Sequence, residues 1–152
     1  MAMETTLSII KPDGVKRNLL GKIMTRFEEE GLEIAAAKKI WLSKREAEGF
    51  YAVHRERPFF GSLVDYIVSS PVVVMALEGT SAIQAARGTI GATNPAEAGA
   101  GTIRGDYGLE IGRNLVHGSD SAENGQIEVA NFFSEDELIR GWARNTDSWI
   151  FE

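Results

Sequence analysis

The sequence contains no cysteine and only two histidines among its 152 residues. Without cysteine the chain cannot form disulfides, thiolate metal sites or a cysteine nucleophile, and a reducing compartment is allowed but not required. Long apolar runs are also missing, since the longest, residues 71–77, is far too short to span a bilayer. The first ten residues carry neither a basic segment nor a long apolar one. We therefore expect no membrane association and a cytoplasmic location.

An excess of positive charge is missing as well. The formal net charge is −6 at pH 7, which disfavours electrostatic binding to nucleic acid or to anionic membranes. Any phosphate-binding site must then be a local cluster of cations. With 43% hydrophobic residues, a chain of this length can bury one sizeable core but hardly two. We predict a single domain over residues 1–152, in which 134–152 form a C-terminal tail.

Hydrophobic periodicity predicts strands and helices that alternate along the chain. The predicted strands are 6–10, 32–42 and 72–77, and the predicted helices are 19–30, 43–54, 59–68, 81–90 and 122–133. The strand at 72–77 is apolar throughout, which is typical of a strand buried on both faces. Ser43 and Glu46 have the spacing of a capping box. Ser119 and Asp120 are candidate caps for the last helix.

The remaining segments are predicted to be irregular. Residues 11–14 contain strong turn formers, and 91–118 form a long glycine-rich stretch with little strand character. A loop of that length is usually functional. The tail carries Trp142, Trp149, Ile150 and Phe151 on otherwise polar sequence, so these side chains need a surface to cover, on the same subunit or on a neighbour.

The alternation of elements favours an α/β sandwich with helices packed on a small sheet. Periodicity does not define strand order. Taken alone, the pattern is compatible with a doubly wound parallel sheet or with a mostly antiparallel, ferredoxin-like one.

The two histidines have different surroundings. His54 lies at the end of a predicted helix, where a packing or C-terminal capping role is the simpler interpretation. His117 lies between the branched pair Leu115 and Val116 and the polar residues 118–121. A strand there would run directly into a helix N-terminus, which is a favourable place for an anion.

His117 is therefore the candidate catalytic residue. A neutral imidazole is nucleophilic near pH 7 and can both accept and release a phosphoryl group. Glu128, eleven residues further on and on the following helix, can hold the second ring nitrogen and fix the tautomer. Ser119 could join that hydrogen-bond network.

Phosphate transfer also needs cations, and single candidates flank predicted turns: Lys11, Arg87 and Arg104. Most surface arginines are simply solvated, so each is weak alone. The sequence has neither a G-x-x-x-x-G-K-[ST] loop nor a G-x-G-x-x-G run. A P-loop or a Rossmann phosphate site is therefore excluded, and nucleotide binding would need another scaffold.

The segment at 114–121 closely resembles the active-site signature of the nucleoside diphosphate kinase family, with His117 in the phosphorylated position. Further segments resemble family motifs in the same order, namely 10–14, 51–60, 91–95 and 102–106. Several independent motifs with compatible spacing make a chance match negligible. The resemblance covers essentially the whole chain.

The resemblance implies a ferredoxin-like α/β sandwich with a four-stranded antiparallel sheet covered by helices. It implies ping-pong transfer of the γ-phosphate of a nucleoside triphosphate such as ATP to a nucleoside diphosphate such as GDP, through phospho-His117 and with broad base specificity. Mg²⁺ would be held mainly by the nucleotide phosphates. A homo-oligomer is implied, and the length of the tail favours a hexamer over a tetramer.

The resemblance also implies residue roles. The phosphates would be held by Lys11, Arg87 and Arg104 with help from Thr93, the sugar hydroxyl by Asn114, and the base by stacking on Phe59 beside Leu63 and Ile111. Tyr51 would shape the catalytic pocket and Glu128 would orient His117.

Two other classes of function compete with this interpretation. A nucleotide-binding regulatory module on the same fold would need a damaged catalytic set, and none of these residues is missing. A single-strand nucleic-acid binder could use a ferredoxin-like sheet, but the acidic charge and the lack of an aromatic RNA-binding motif make nucleic acid an unlikely partner.

Overall fold

The computed structural model describes residues 3–144 and 147–150. Within these residues one sheet is formed by β1 (Met3–Ile10), β2 (Glu33–Ile40), β3 (Val72–Thr80) and β4 (Val116–Gly118), in the order β2-β3-β1-β4. All three strand pairs are antiparallel. The predicted ferredoxin-like antiparallel sheet is therefore confirmed, and the parallel alternative is excluded. The apolar strand β3 lies inside the sheet, as its composition predicts.

Helices follow the strands along the chain. They are α1 (Pro12–Lys16), α2 (Leu20–Glu29), α3 (Lys44–Phe50), α4 (Phe60–Ile67), α5 (Ala82–Ile90), α6 (Ile103–Tyr107), α7 (Ala122–Phe132) and α8 (Asp147–Ile150). The predicted capping box is present, because the Ser43 side chain accepts from the Glu46 backbone N–H and the Glu46 carboxylate accepts from the Ser43 N–H. Gly31, two residues past the end of α2, has a φ of 83°, a backbone conformation that glycine adopts without strain.

The core has two parts, one on each face of the sheet. Alternate residues of β3 point to opposite faces, so Val73 and Met75 join one cluster while Val72 and Val74 join the other. The first cluster includes side chains of α2 and α5, and the second includes side chains of α3, α4 and α7. Burial on both faces explains why β3 has no polar alternation in its sequence.

Several boundaries differ from the sequence predictions. The segment predicted as a turn after β1 forms the short helix α1, because Pro12 occupies a first-turn position where its missing N–H costs nothing. Helix α3 ends at Phe50, and a separate 3-10 helix, Ala52–His54, follows it. The prediction of one helix to residue 54 was wrong, since the helical hydrogen bonds are interrupted at Tyr51.

The long stretch at 91–118 is also more ordered than predicted. It contains a 3-10 helix, Pro95–Glu97, and the helix α6, whose N-terminus is capped by the Thr102 side chain. Both elements are too short for hydrophobic periodicity to reveal. The cap of α7 is Ser121, whose side chain accepts from the backbone of Asn124, so the prediction of capping by Ser119 or Asp120 was wrong.

The described part of the tail returns to the sheet edge. Ile139 donates its backbone N–H to the Ala35 carbonyl at 3.0 Å, and Arg140 contacts Glu78 at 2.5 Å. Trp142 and Trp149 are nevertheless 53% and 89% exposed. Phe151, the other tail aromatic of the sequence analysis, lies outside the described residues. In the part of the chain that the structure describes, no helix is long and apolar enough to cross a membrane.

Candidate active site

A cavity of about 550 Å³ opens where β4 meets the helices α3, α5 and α7. Eight of the residues predicted to form the site line this cavity: Lys11, Tyr51, Arg87, Thr93, Arg104, Asn114, His117 and Glu128. Arg87 belongs to α5, Arg104 to α6, His117 to β4 and Glu128 to α7. Lys11 directly follows β1 and Tyr51 directly follows α3, while Thr93 and Asn114 lie in loops. Two cavities of about 790 and 640 Å³ are larger, but neither is lined by a histidine. Chemistry therefore distinguishes the site better than size does.

His117 and Glu128 form the centre of the cavity wall. Nε2 of His117 lies 2.8 Å from Oε1 of Glu128, and Ser119 Oγ donates to the same oxygen at 2.8 Å. Because a carboxylate accepts hydrogen bonds, the His117 tautomer with hydrogen on Nε2 is favoured. Nδ1 is then left with its lone pair.

The backbone around His117 is fixed by the neighbouring strand. His117 pairs with Ile9 across β1 and β4, and the fully buried Ser119 Oγ accepts from the Leu7 backbone N–H at 3.0 Å. Leu115 has a φ of 74°, a conformation that non-glycine residues rarely adopt. It is held by its N–H, which donates to the Asp13 carboxylate at 3.0 Å. Strained backbone of this kind persists where the surroundings determine it strongly, and it is common at functional sites.

Lys11 and Asn114 are linked across the cavity floor. Lys11 Nζ donates to Asn114 Oδ1 at 2.8 Å, and Asn114 Nδ2 donates to the Thr93 carbonyl at 3.1 Å. Burial, together with the nearby positive charge of Arg104, lowers the pKa of Lys11 to about 8. Below about pH 8 the lysine is therefore a cation, with the Asp13 carboxylate as a nearby opposite charge.

Arg104 is buried, and its guanidinium donates to three backbone carbonyls, of Asn114, Gly91 and Val116, at 3.1, 3.2 and 2.6 Å. Burial lowers its pKa to about 10, and repulsion from Arg87 adds to the effect. These bonds hold the loops at the cavity together. Two of the five guanidinium N–H groups are outside these three contacts.

Arg87 and Tyr51 complete the polar wall. Arg87, on α5, is exposed, and it donates to the Gly118 carbonyl at 3.4 Å, next to the histidine. Tyr51 follows α3, and burial raises the pKa of its hydroxyl to about 12. Its hydroxyl is therefore a neutral hydrogen-bond donor at physiological pH.

Four predicted site residues lie outside the lining. Ser119 is buried behind the wall, where it contacts Glu128. Leu63 is half-buried on α4, while Phe59 and Ile111 are exposed, at 47% and 59%. The structure thus brings together the polar residues predicted to act on phosphate and leaves the predicted base-stacking residues apart from them.

Phe50 and His54 are among the lining residues that had no predicted part in the site. Phe50 packs its ring perpendicular to His117, with ring centroids 5.3 Å apart and an interplanar angle of 81°. His54 also lines the cavity and lies 5.5 Å from Phe59, centroid to centroid. It belongs to the 3-10 helix, and its ring contacts agree with the packing interpretation. The sequence signal that could have placed Phe50 in the site is its position immediately before Tyr51, a predicted site residue.

The cavity lining offers few ligands for a metal ion. In residues 3–144 and 147–150, no group of three or more histidine, aspartate and glutamate side chains could hold a metal ion. Of the lining carboxylates, Glu128 is bonded to His117 and Ser119, and Asp120 accepts from Asn124 at 2.6 Å. This donor set suits a cation that brings its own phosphate ligands.

Comparison with known proteins decides the family. Residues 4–138 match the nucleoside diphosphate kinase family. The chain belongs to the nucleoside diphosphate kinase family. A nucleoside diphosphate kinase of Archaeoglobus fulgidus is 52% identical over 150 residues, covering 99% of each chain. One of Erythrobacter litoralis is 58% identical over 139 residues, covering 91% of this chain and 99% of the relative.

Solved structures of the family superpose on this fold. The structure of a halophilic nucleoside diphosphate kinase from Halobacterium salinarum in complex with CDP has a TM-score of 0.94 and 42% sequence identity. The match covers 99% of this chain and 100% of that one. The predicted family and fold and the predicted phosphotransferase activity are thereby confirmed, and the phosphohistidine ping-pong cycle is the general mechanism of nucleoside diphosphate kinases.

Proposed function

We propose that His117 of this chain accepts the γ-phosphate of a nucleoside triphosphate and passes it to a nucleoside diphosphate in the same cavity. The observation that carries the proposal is the 2.8 Å contact between His117 Nε2 and Glu128 Oε1, on a wall shared with three cations. One cavity can serve both half-reactions, because the departing diphosphate and the incoming one have the same chemistry.

The tautomer determines which nitrogen attacks. With Nε2–H donated to Glu128, Nδ1 carries the lone pair and is the nucleophile. As Nδ1 bonds to phosphorus, the bond from phosphorus to the β,γ-bridging oxygen breaks and the diphosphate leaves. The imidazole becomes positively charged in this step, and the Glu128 carboxylate stabilises that charge. The second half-reaction reverses these bond changes with a different diphosphate.

The cations bind and position the phosphates. Lys11, whose ammonium has one observed side-chain partner, supplies a compact charge near the loop of Asn114. Arg87 lies at the cavity rim, and Arg104 has N–H groups to offer besides those that hold the loops. Thr93 contributes a hydroxyl, and Tyr51 donates from a neutral phenol. Such preorganised donors stabilise a transition state whose charge is spread over phosphoryl oxygens.

Asn114 and the exposed apolar residues would bind the nucleoside. Asn114 is hydrogen-bonded to both Lys11 and Thr93. We propose that it bonds the sugar hydroxyl once the bound nucleotide replaces its hydrogen bond to Lys11. Phe59 would stack on the base, with Leu63 and Ile111 beside it. Stacking recognises the π face that all bases share, so broad base specificity is expected.

The family requires a divalent cation, and we propose Mg²⁺ for this chain. Such an ion, held mainly by the nucleotide phosphates, would supply positive charge that offsets the negative charge developing on them. The two lining carboxylates, Glu128 and Asp120, are too few for a cage of protein ligands. Because Glu128 is held by His117 and Ser119, Asp120, which accepts one hydrogen bond from Asn124, is the carboxylate that would approach a hydrated ion. The other residues named above act on the phosphates themselves.

The C-terminal tail bears on how the chain assembles. We propose a homo-oligomer, because exposed Trp142 and Trp149 in the tail offer apolar surface that a neighbouring subunit can cover. We propose a hexamer in preference to a tetramer, because the tail resembles the longer C-terminal form of the family. Light scattering coupled to size-exclusion chromatography would determine the number of subunits. The single-domain organisation over 1–152 and the cytoplasmic location stay predictions, which limited proteolysis and cell fractionation can check.

The deciding experiment uses γ-labelled ATP. Purified protein is incubated with labelled ATP and Mg²⁺, tested for acid-labile and base-stable label, and then given GDP. We expect label that requires His117, persists in His54→Ala, disappears in His117→Ala and moves to GDP as GTP. Circular dichroism must show that both variants are folded. Absence of label on folded wild-type protein would exclude this proposal and favour a nucleotide-binding module without turnover.

A further inference from the structure

Phe50 is a wall residue that the chemistry proposed above leaves without a role. It ends α3 and is half-buried in the second core cluster. Its ring meets the imidazole of His117 nearly at right angles, with centroids 5.3 Å apart. Perpendicular aromatic pairs at this distance are attractive and depend on geometry.

The Glu128 contact alone leaves His117 with rotational freedom. One hydrogen bond fixes the distance and the tautomer, but the imidazole can still tilt about the line that joins Nε2 to Oε1. A second ring packed perpendicular to the imidazole blocks that tilt. Direct attack on phosphorus requires the Nδ1 lone pair to lie along the line of the breaking bond, so small tilts reduce the rate strongly.

Phe50 is itself supported from two sides. Its ring packs on Tyr51 at 5.0 Å with an interplanar angle of 78°, and on Phe132 at 5.9 Å with an angle of 59°. Phe132 ends α7, the helix that also carries Glu128. The hydrogen-bond acceptor and the support behind the aromatic wall therefore belong to one rigid element, and α7 restrains His117 in two directions.

We propose that Phe50 is a positioning residue, which holds the His117 ring in the orientation for phosphoryl transfer and shields the phosphohistidine from water. This inference rests on the proposed function of His117. In the side reaction that Phe50 would suppress, water attacks phosphorus, the P–N bond breaks, phosphate leaves and the imidazole recovers its lone pair. Exclusion of water from a reactive intermediate is a recognised role of apolar walls.

The test compares three variants. Phe50→Leu keeps an apolar side chain but removes the ring. Phe50→Tyr keeps an aromatic ring, and Phe133→Leu is the matched control. Phe133 is buried in the same core cluster, where its ring contacts Lys38 rather than the cavity. Each variant is assayed for kcat and KM with ATP and GDP. The half-life of the isolated phosphoenzyme without acceptor is measured in parallel.

We expect Phe50→Leu to lower kcat about three- to tenfold, the range that one aromatic pair provides. KM should change little, because the cations that bind phosphate are untouched, and the phosphoenzyme should hydrolyse faster. Phe50→Tyr should retain the wild-type kcat and the wild-type half-life of the phosphoenzyme. Phe133→Leu should reduce the unfolding midpoint without altering kcat, KM or the half-life.

The proposal is overturned if Phe50→Leu and Phe133→Leu have the same kinetics, or if Phe50→Leu raises KM and leaves kcat and the half-life unchanged. The comparison of the variants can be interpreted only if the wild-type protein forms phosphohistidine. Failure of wild type to do so would refute the proposed function of His117 instead, so the two failures are distinguishable.

Discussion

Replacement of Glu128 by glutamine isolates the charge of the carboxylate that contacts His117. The change keeps the shape of the side chain and an oxygen that can accept from Nε2. In the wild type, the His117 and Glu128 side chains are only 25% and 21% exposed, so solvent screens their 2.8 Å contact only in part. A hydrogen bond to a charged group in such a setting contributes about 2 kcal/mol. We expect phosphorylation of His117 to slow roughly 30-fold.

The assay is a single-turnover, rapid-quench measurement of label transferred from γ-labelled ATP at saturating concentration. Glu123→Gln is the matched control, because Glu123 is an exposed carboxylate in the first turn of the same helix, α7. It should phosphorylate at the wild-type rate. If Glu128→Gln also reacted within about twofold of wild type, while His117→Ala remained unlabelled, the carboxylate charge would have no part in the reaction.

Four further predictions concern pH and stability. Since burial lowers the pKa of Lys11 to about 8, kcat/KM for ATP should fall as the pH rises through about 8, because the free enzyme loses a cation. Lys11→Arg stays charged and should remove that fall; a wild-type profile that is flat through this range would contradict the assignment. In unfolding experiments the sign is opposite: the Lys11 contribution to the free energy of unfolding should rise between pH 8 and 10.5, because the unfolded chain then binds more protons. Ser119→Ala leaves the buried Leu7 N–H without its 3.0 Å acceptor and should lower the free energy of unfolding by about 1–3 kcal/mol, measured in urea. Gly125→Ala would put a Cβ 2.2 Å from the Thr5 carbonyl oxygen and should cost about 1–3 kcal/mol by the same measurement; an unchanged midpoint would disprove the close approach of α7 to β1.

Most of the secondary structure could be predicted from local sequence. Elements with a long hydrophobic period, such as α2, and the uniformly apolar β3 were located to within a few residues, because the period follows directly from the geometry of helix or strand. The short elements were missed or misjudged. Helix α1, helix α6 and the break at Tyr51 each depend on one turn of hydrogen bonds and on caps, and a single turn carries no measurable period.

Part of the site was also accessible to local reasoning. His117 and Glu128 are eleven residues apart on consecutive elements, so their contact could be anticipated from spacing, and the side chains do meet at 2.8 Å. Their chemical roles stay a proposal. The roles of Phe59 and Arg104 came from the family resemblance and not from spacing. The three carbonyl contacts of Arg104, which explain its burial, had no signal in the sequence.

The sequence by itself determined the residue types available for chemistry: two histidines, no thiol, scattered cations and no glycine-rich phosphate loop. Tertiary structure alone decided which of them meet. Lys11 and Asn114 are separated by 103 positions yet lie 2.8 Å apart, and Phe50 reaches His117 because α3 packs on the face of the sheet that also carries α7. Such contacts depend on strand order, which arises from the burial of both faces of β1 and β3 at once. That condition involves the whole chain, so no local pattern can express it.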